Sequence, residues 1–108
     1  MRYYNDYFRE HEINCLSICL DDASTEELGN ATFPEIEKTL ARANRGQIFE
    51  ELVILQKCNC VEIYTISKKE KGTVIREKMI AFWKKYSKKF EICYIPKIRS
   101  IKGEKVFD

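Results

Sequence analysis

The residues best suited to chemistry stand in one short run, Lys57, Cys58, Asn59 and Cys60, with Glu62 close behind. A cysteine attacks a carbonyl carbon as its thiolate, so a productive thiol needs solvent access and nearby positive charge or hydrogen-bond donors. Lys57 can supply the charge, Asn59 and the N–H groups of a turn can steady an oxyanion, and Glu62 can receive a substrate amino group. From spacing alone a plainer reading stays open, because a free cysteine is commonly an inert, small hydrophobe.

What must present this run is legible on either side of it. Glu51 to Gln56 contains four consecutive aliphatic residues, and Val61 to Ser67 carries Ile63, Tyr64 and Ile66, so the two segments read as strands of an antiparallel hairpin whose turn holds Cys58. The rival reading continues a helix from Gln47 through Leu55, since Ile48, Leu52 and Leu55 also share a helical face; the β-branched pair Val53 and Ile54 favours the strand.

Upstream, Ile13 to Leu20 is an apolar run that stops at Asp21 and Asp22, a first strand. Thr32 and Glu35 have the spacing of a capping box, with Pro34 in the first turn, and Ile36, Leu40 and Ala43 continue a helical stripe that Asn44, Arg45 and Gly46 can end. Downstream, Thr73 can cap a helix whose apolar face is Ile75, Met79, Phe82, Trp83 and Tyr86. A last strand is expected at Phe90 to Ile95, stopped by Pro96, which lacks a ladder donor. The order strand, helix, strand, strand, helix, strand is most simply layered as α+β. Its form is a four-stranded antiparallel sheet with helices on one face, the ferredoxin-like split βαβ (βαββαβ) arrangement.

Length and composition agree with one domain over 1–108, since a single core commonly serves roughly 100 to 150 residues. No apolar run approaches membrane-spanning length, and Met1 to Glu10 lacks the apolar stretch of a secretory signal, so a cytoplasmic protein is expected. Five cysteines without such a signal suggest reduced thiols, with Cys15, Cys19 and Cys93 as core fillers in strands. The single-residue gap between Cys58 and Cys60, with no second pair, is poor zinc spacing, and no metal is expected. His11, the sole histidine, precedes the first strand and reads as a surface residue. With 4 glycines there is no Gly-rich phosphate loop, so no cofactor-binding residue is expected. Residues 1–66 carry 6 basic and 12 acidic side chains and residues 67–108 carry 13 and 5, so the second portion has the charge of either a solvated Lys-rich helix or an RNA contact.

The stretch from Glu51 to Tyr64 resembles the signature of glutamyl-tRNA reductases, an apolar strand running into Ser-Thr-Cys-Asn-Arg-Thr-Glu and a hydrophobic-Tyr pair. Leu55, Cys58, Asn59, Glu62, Ile63 and Tyr64 stand in register with it. Leu16 to Glu26 is similar to the family's opening strand and turn, and Gly103 to Asp108 to its Gly-Glu landmark. The resemblance implies the amino-terminal catalytic domain, which in that family is ferredoxin-like. It also implies a reaction: Cys58 attacks the ester of glutamyl-tRNA, tRNA leaves, and NADPH held by a following domain reduces the glutamyl thioester to glutamate-1-semialdehyde for tetrapyrrole synthesis. Lys57, Asn59 and Cys60 match neighbours that hold the glutamate. The full enzymes are homodimers through a long helical domain that has no counterpart here. The family's arginine is Cys60 in this chain, and its His-Lys-Thr-Ala turn is Leu20, Asp21, Asp22, Ala23, which marks a divergent member. The other function class is a noncatalytic ferredoxin-like module that binds RNA or protein.

Overall fold

Leu16 and Ile18, one residue apart on a strand, point to the same side, and that side is the interior. In the computed structural model, which describes residues 9–102, strand β1 spans His11–Cys19. It pairs antiparallel with β3 (Cys60–Lys68) so that Leu16 lies opposite Ile63 and Ile18 opposite Val61. Strand β2 (Leu52–Gln56) continues the row by setting Ile54 against Ile63. Strand β4 (Arg99–Lys102) closes the other edge against β1, giving the order β2-β3-β1-β4. This is the ferredoxin-like α+β arrangement expected from the sequence.

Helices α1 (Thr25–Asn30), α2 (Ile36–Arg45) and α3 (Gly72–Tyr86) complete it. Met79, Phe82 and Trp83 of α3 are buried against the β-strand row, together with Phe33, Leu28 and Ala43. Burying several aromatic and aliphatic side chains of this size is the main source of stability in a domain this small, at roughly 1.5–3 kcal/mol each. Trp83 also donates its Nε1–H to the carbonyl of Ala31 at 2.7 Å, so its polar edge is satisfied inside the core. Phe33 lies between Phe82 and Trp83, with ring centroids 6.1 and 6.0 Å away. Lys88 and Lys89, just past α3, donate their main-chain N–H groups to the carbonyls of Thr32 and Asn30. The carboxyl end of α3 therefore sits at the same end of the sheet as the end of β1 and the β2–β3 turn.

Four expectations are corrected. The capping box belongs to Ser24 and Glu27, which exchange both hydrogen bonds ahead of α1, a helix the sequence reading passed over. Thr32 instead donates its hydroxyl back to the Gly29 carbonyl, and α2 starts behind Glu35 with no side-chain cap. Helix α3 starts at Gly72, after Lys71, not at a Thr73 cap. The segment Phe90 to Ile95 is not a strand. Its residues from Ile92 onward form a 3-10 turn to Lys97, in which Tyr94 is buried and packs edge-on against Phe90. The main-chain bonds Tyr94 to Glu91 and Ile98 to Ile95 are turn bonds, so the ladder resumes only beyond Pro96. His11, finally, lies within β1 and is largely covered, with Nε2 3.8 Å from a Glu50 carboxylate oxygen. The Gly103 to Asp108 landmark lies outside the described residues.

Candidate functional site at the β2–β3 turn

Strands β2 and β3 pair as far as Gln56 and Val61, and the Lys57 N–H donates to the Cys60 carbonyl at 2.8 Å, closing a four-residue turn. Cys58 and Asn59 form its tip, and Cys58 is exposed. The tip is tied to a second element, because the Leu20 N–H at the end of β1 donates to the Asn59 carbonyl at 2.9 Å. The N–H groups of Cys58 and Asn59 themselves have no acceptor among the described residues, which leaves two unspent donors in the turn that carries the thiol. A tight turn with unspent N–H groups is the kind of local structure that can receive an oxyanion.

The face of the sheet turned away from the helices carries the remaining groups. Glu62 is half-buried there, with one carboxylate oxygen 3.0 Å from Lys57 Nζ and the other accepting the Tyr64 hydroxyl at 2.9 Å. Tyr64 also contacts the thiol of buried Cys15, its partner across β1. Burial pushes the Cys15 thiol up to about 11, and it raises the Tyr64 hydroxyl as well, helped by the hydrogen bond to Glu62. Lys57, Glu62, Tyr64 and Cys15 thus form a polar line from the turn into the middle of the sheet. Beside it lies a shallow apolar depression lined by Ile13, Val53, Leu55, Tyr64 and Ile66.

The structure brings Lys57, Cys58, Asn59 and Glu62 to one corner but gives Glu62 two partners of its own. Cys60 is not a free side chain: its sulfur is bonded to Cys19, directly opposite on β1. The expectation of reduced thiols and of Cys19 as a core filler is corrected here, while Cys15, Cys58 and Cys93 remain free. The physical reason is register. Leu20 and Asn59 are a hydrogen-bonded pair, so the next pair, Cys19 and Cys60, is of the closer, non-hydrogen-bonded kind, with Cα atoms 4.1 Å apart. Cys93 is exposed on the 3-10 turn, with Sγ 3.6 Å from a Glu91 carboxylate oxygen, and so does not fill the core.

One residue that the sequence did not single out shares this face. Arg99, opposite Ser17 at the start of β4, lies in the row that continues through Glu62 to Leu55. Its guanidinium is already engaged by Asp22 and lies 3.8 Å from Asp21. Those two acidic residues directly follow the end of β1. Among the described residues there is no group of three or more His, Cys, Asp or Glu placed to hold a metal ion, and no helix is long and apolar enough to cross a membrane.

No family model and no curated protein matches the sequence. Among solved structures, the fold is similar to part of a glutamyl-tRNA reductase from Methanopyrus kandleri, with a TM-score of 0.47 and 23% identity over 61% of this chain. The match spans 16% of that chain. At this level the likeness concerns backbone shape over part of the molecule and leaves the chemistry to the residues themselves.

Proposed function

We propose that Cys58 is a thiol nucleophile for the aminoacyl ester of glutamyl-tRNA, in the manner of the amino-terminal domain of a glutamyl-tRNA reductase. The observation that carries this reading is the exposed Cys58 thiol at the tip of the β2–β3 turn, within the stretch that resembles the family signature. The Cys58 thiolate attacks the ester carbonyl carbon, and the Cys58 and Asn59 N–H groups with the Asn59 amide face the oxyanion that forms. The carbon–oxygen bond to the ribose then breaks, the ribose oxygen takes up a proton, and the glutamyl group remains as a thioester.

Glutamate selectivity must come from a cation other than the family's arginine, because Cys60 offers neither charge nor a free thiol. Lys57 is the cation next to the nucleophile, and a substrate carboxylate would share it with Glu62. In this reading hydride delivery from NADPH, the semialdehyde product and the homodimer belong to a whole enzyme with a following cofactor domain.

The test is to incubate the protein with glutamyl-tRNA and follow intact mass and ester hydrolysis. A glutamyl adduct at Cys58, lost in Cys58→Ser and kept in Cys93→Ser, supports the reading. Hydrolysis that is indifferent to Cys58→Ser, with salt-sensitive tRNA binding intact, would leave the noncatalytic RNA-binding module in its place.

A further inference from the structure

The turn that carries Cys58 is anchored at its base by a bond that chemistry can cut. Cys19 closes β1, Cys60 opens β3, and their disulfide joins the two strands where the Leu20 N–H reaches the Asn59 carbonyl. Both cysteines are only half-buried at the end of the sheet, within reach of a small thiol. The described chain otherwise keeps its free thiols apart from one another in kind: Cys15 is buried, and Cys93 lies on a different element. The disulfide therefore sits two residues along the chain from the candidate nucleophile, at the base of its turn.

We propose that Cys19–Cys60 is a reversible thiol switch, reduced by a dithiol of the kind that passes two electrons through a mixed disulfide, and that its oxidised state holds the Cys58 turn in place. A thiolate of the reductant attacks one sulfur of the pair, the Cys19–Cys60 bond breaks, and the departing cysteine takes up a proton. The second thiol of the reductant then attacks the mixed disulfide, releasing the other cysteine as a thiol and leaving the reductant oxidised by two electrons. With the bond cut, the turn keeps its hydrogen bonds to β1 and across the hairpin but loses its covalent anchor. The consequence for acyl transfer rests on the proposed role of Cys58; the switch itself does not.

Two measurements test it on the whole chain. The protein is equilibrated with oxidised and reduced dithiothreitol at a series of ratios, alkylated, and mapped by mass spectrometry; a Cys19–Cys60 peptide that appears and disappears reversibly is expected. Hydrogen exchange then compares the two states, with the Leu20 and Lys57 amides expected to exchange on the order of tenfold faster once the pair is reduced, while core amides of β3 change far less. The same difference is expected in Cys58→Ser, which separates this switch from the fate of the catalytic reading. Absence of the linked peptide at every ratio, or equal exchange of Leu20 and Lys57 in both states, overturns the proposal. Cys19→Ser, which removes the bond without a reductant, should reproduce the reduced pattern.

Discussion

Lys57 Nζ and Glu62 Oε1 lie 3.0 Å apart, so the cation beside the candidate nucleophile is held by a carboxylate, not by the thiol. The pair is largely solvent-facing on the lysine side, where such contacts contribute at most about 1 kcal/mol. Replacing Glu62 with Gln removes the competing charge while the amide can still accept from Tyr64. Alkylation of Cys58 by iodoacetamide at neutral pH is expected to rise about two- to threefold, relative to Cys93 in the same sample, as Lys57 becomes available to the thiolate. An unchanged ratio would show that Lys57 does not influence the thiol.

The five cysteines divide into three groups that a labelling count can separate. Cys58 and Cys93 are exposed, Cys15 is buried with its thiol pushed up to about 11, and Cys19 and Cys60 are joined. Because the thiolate is the reactive form, Cys15 should stay unlabelled in the folded protein at pH 8. Native, unreduced protein is expected to take up two labels, unfolded unreduced protein three, and unfolded reduced protein five. A third label on native protein, mapped to Cys15, would contradict its burial.

The hairpin was legible because four consecutive aliphatics with a β-branched pair stand before the turn and Ile63, Tyr64 and Ile66 after it, and in β3 Val61, Ile63 and Thr65 are all buried on one face. The α3 stripe was legible from its apolar residues at helical spacing. What escaped has a physical explanation in each case. Strand β4 is four residues of Arg, Ser, Ile and Lys on a sheet edge, where solvent on one side leaves almost no hydropathy signal. Ser24 with Glu27 and Thr32 with Glu35 have identical spacing, and only tertiary partners decide between them: the Gln56 side-chain carbonyl captures the Phe33 N–H that a Thr32 cap would have left beside it. At the site, the thiol and its neighbours could be found from the motif. The Cys19–Cys60 bond could not, since pairing depends on a register that joins positions 41 residues apart.

Glu27 makes a second capping and charge contact visible through pH. Its carboxylate is lowered to about 2, chiefly by the hydrogen bond from Lys97 and then by the Ser24 N–H. A carboxyl group depressed in the folded state contributes stability that is complete above its ordinary value of 4.5 and is lost as pH falls from there toward about 2. Glu27→Gln should therefore flatten the acid limb of the stability curve across that window, leaving the slope above pH 6 unaltered. Urea midpoints measured between pH 7 and pH 2.5 give the comparison, and parallel curves for the two proteins would rule the contact out as an acid-sensitive element.

The end of α2 stores a small backbone strain that can be released. Gly46 is the C-cap of α2 and has φ −80°, whereas Gln47 has φ 51°, in the left-handed region. The Ile48 N–H reaches the Ala43 carbonyl and the Gln47 N–H reaches that of Asn44, the two bonds of a Schellman ending. That motif places its left-handed residue one position beyond Gly46, so the glycine sits a residue too early to serve. A side chain in this region costs roughly 1–2 kcal/mol, and glycine there gives back part of the gain through the greater freedom of the unfolded chain. Gln47→Gly is expected to raise stability by about 0.5–1 kcal/mol in denaturant unfolding with an unchanged m-value. Gln47→Val should lower it, because a β-branched residue fits this conformation least. A loss of stability in Gln47→Gly would mean that the glutamine side chain, exposed though it is, contributes more than its backbone costs.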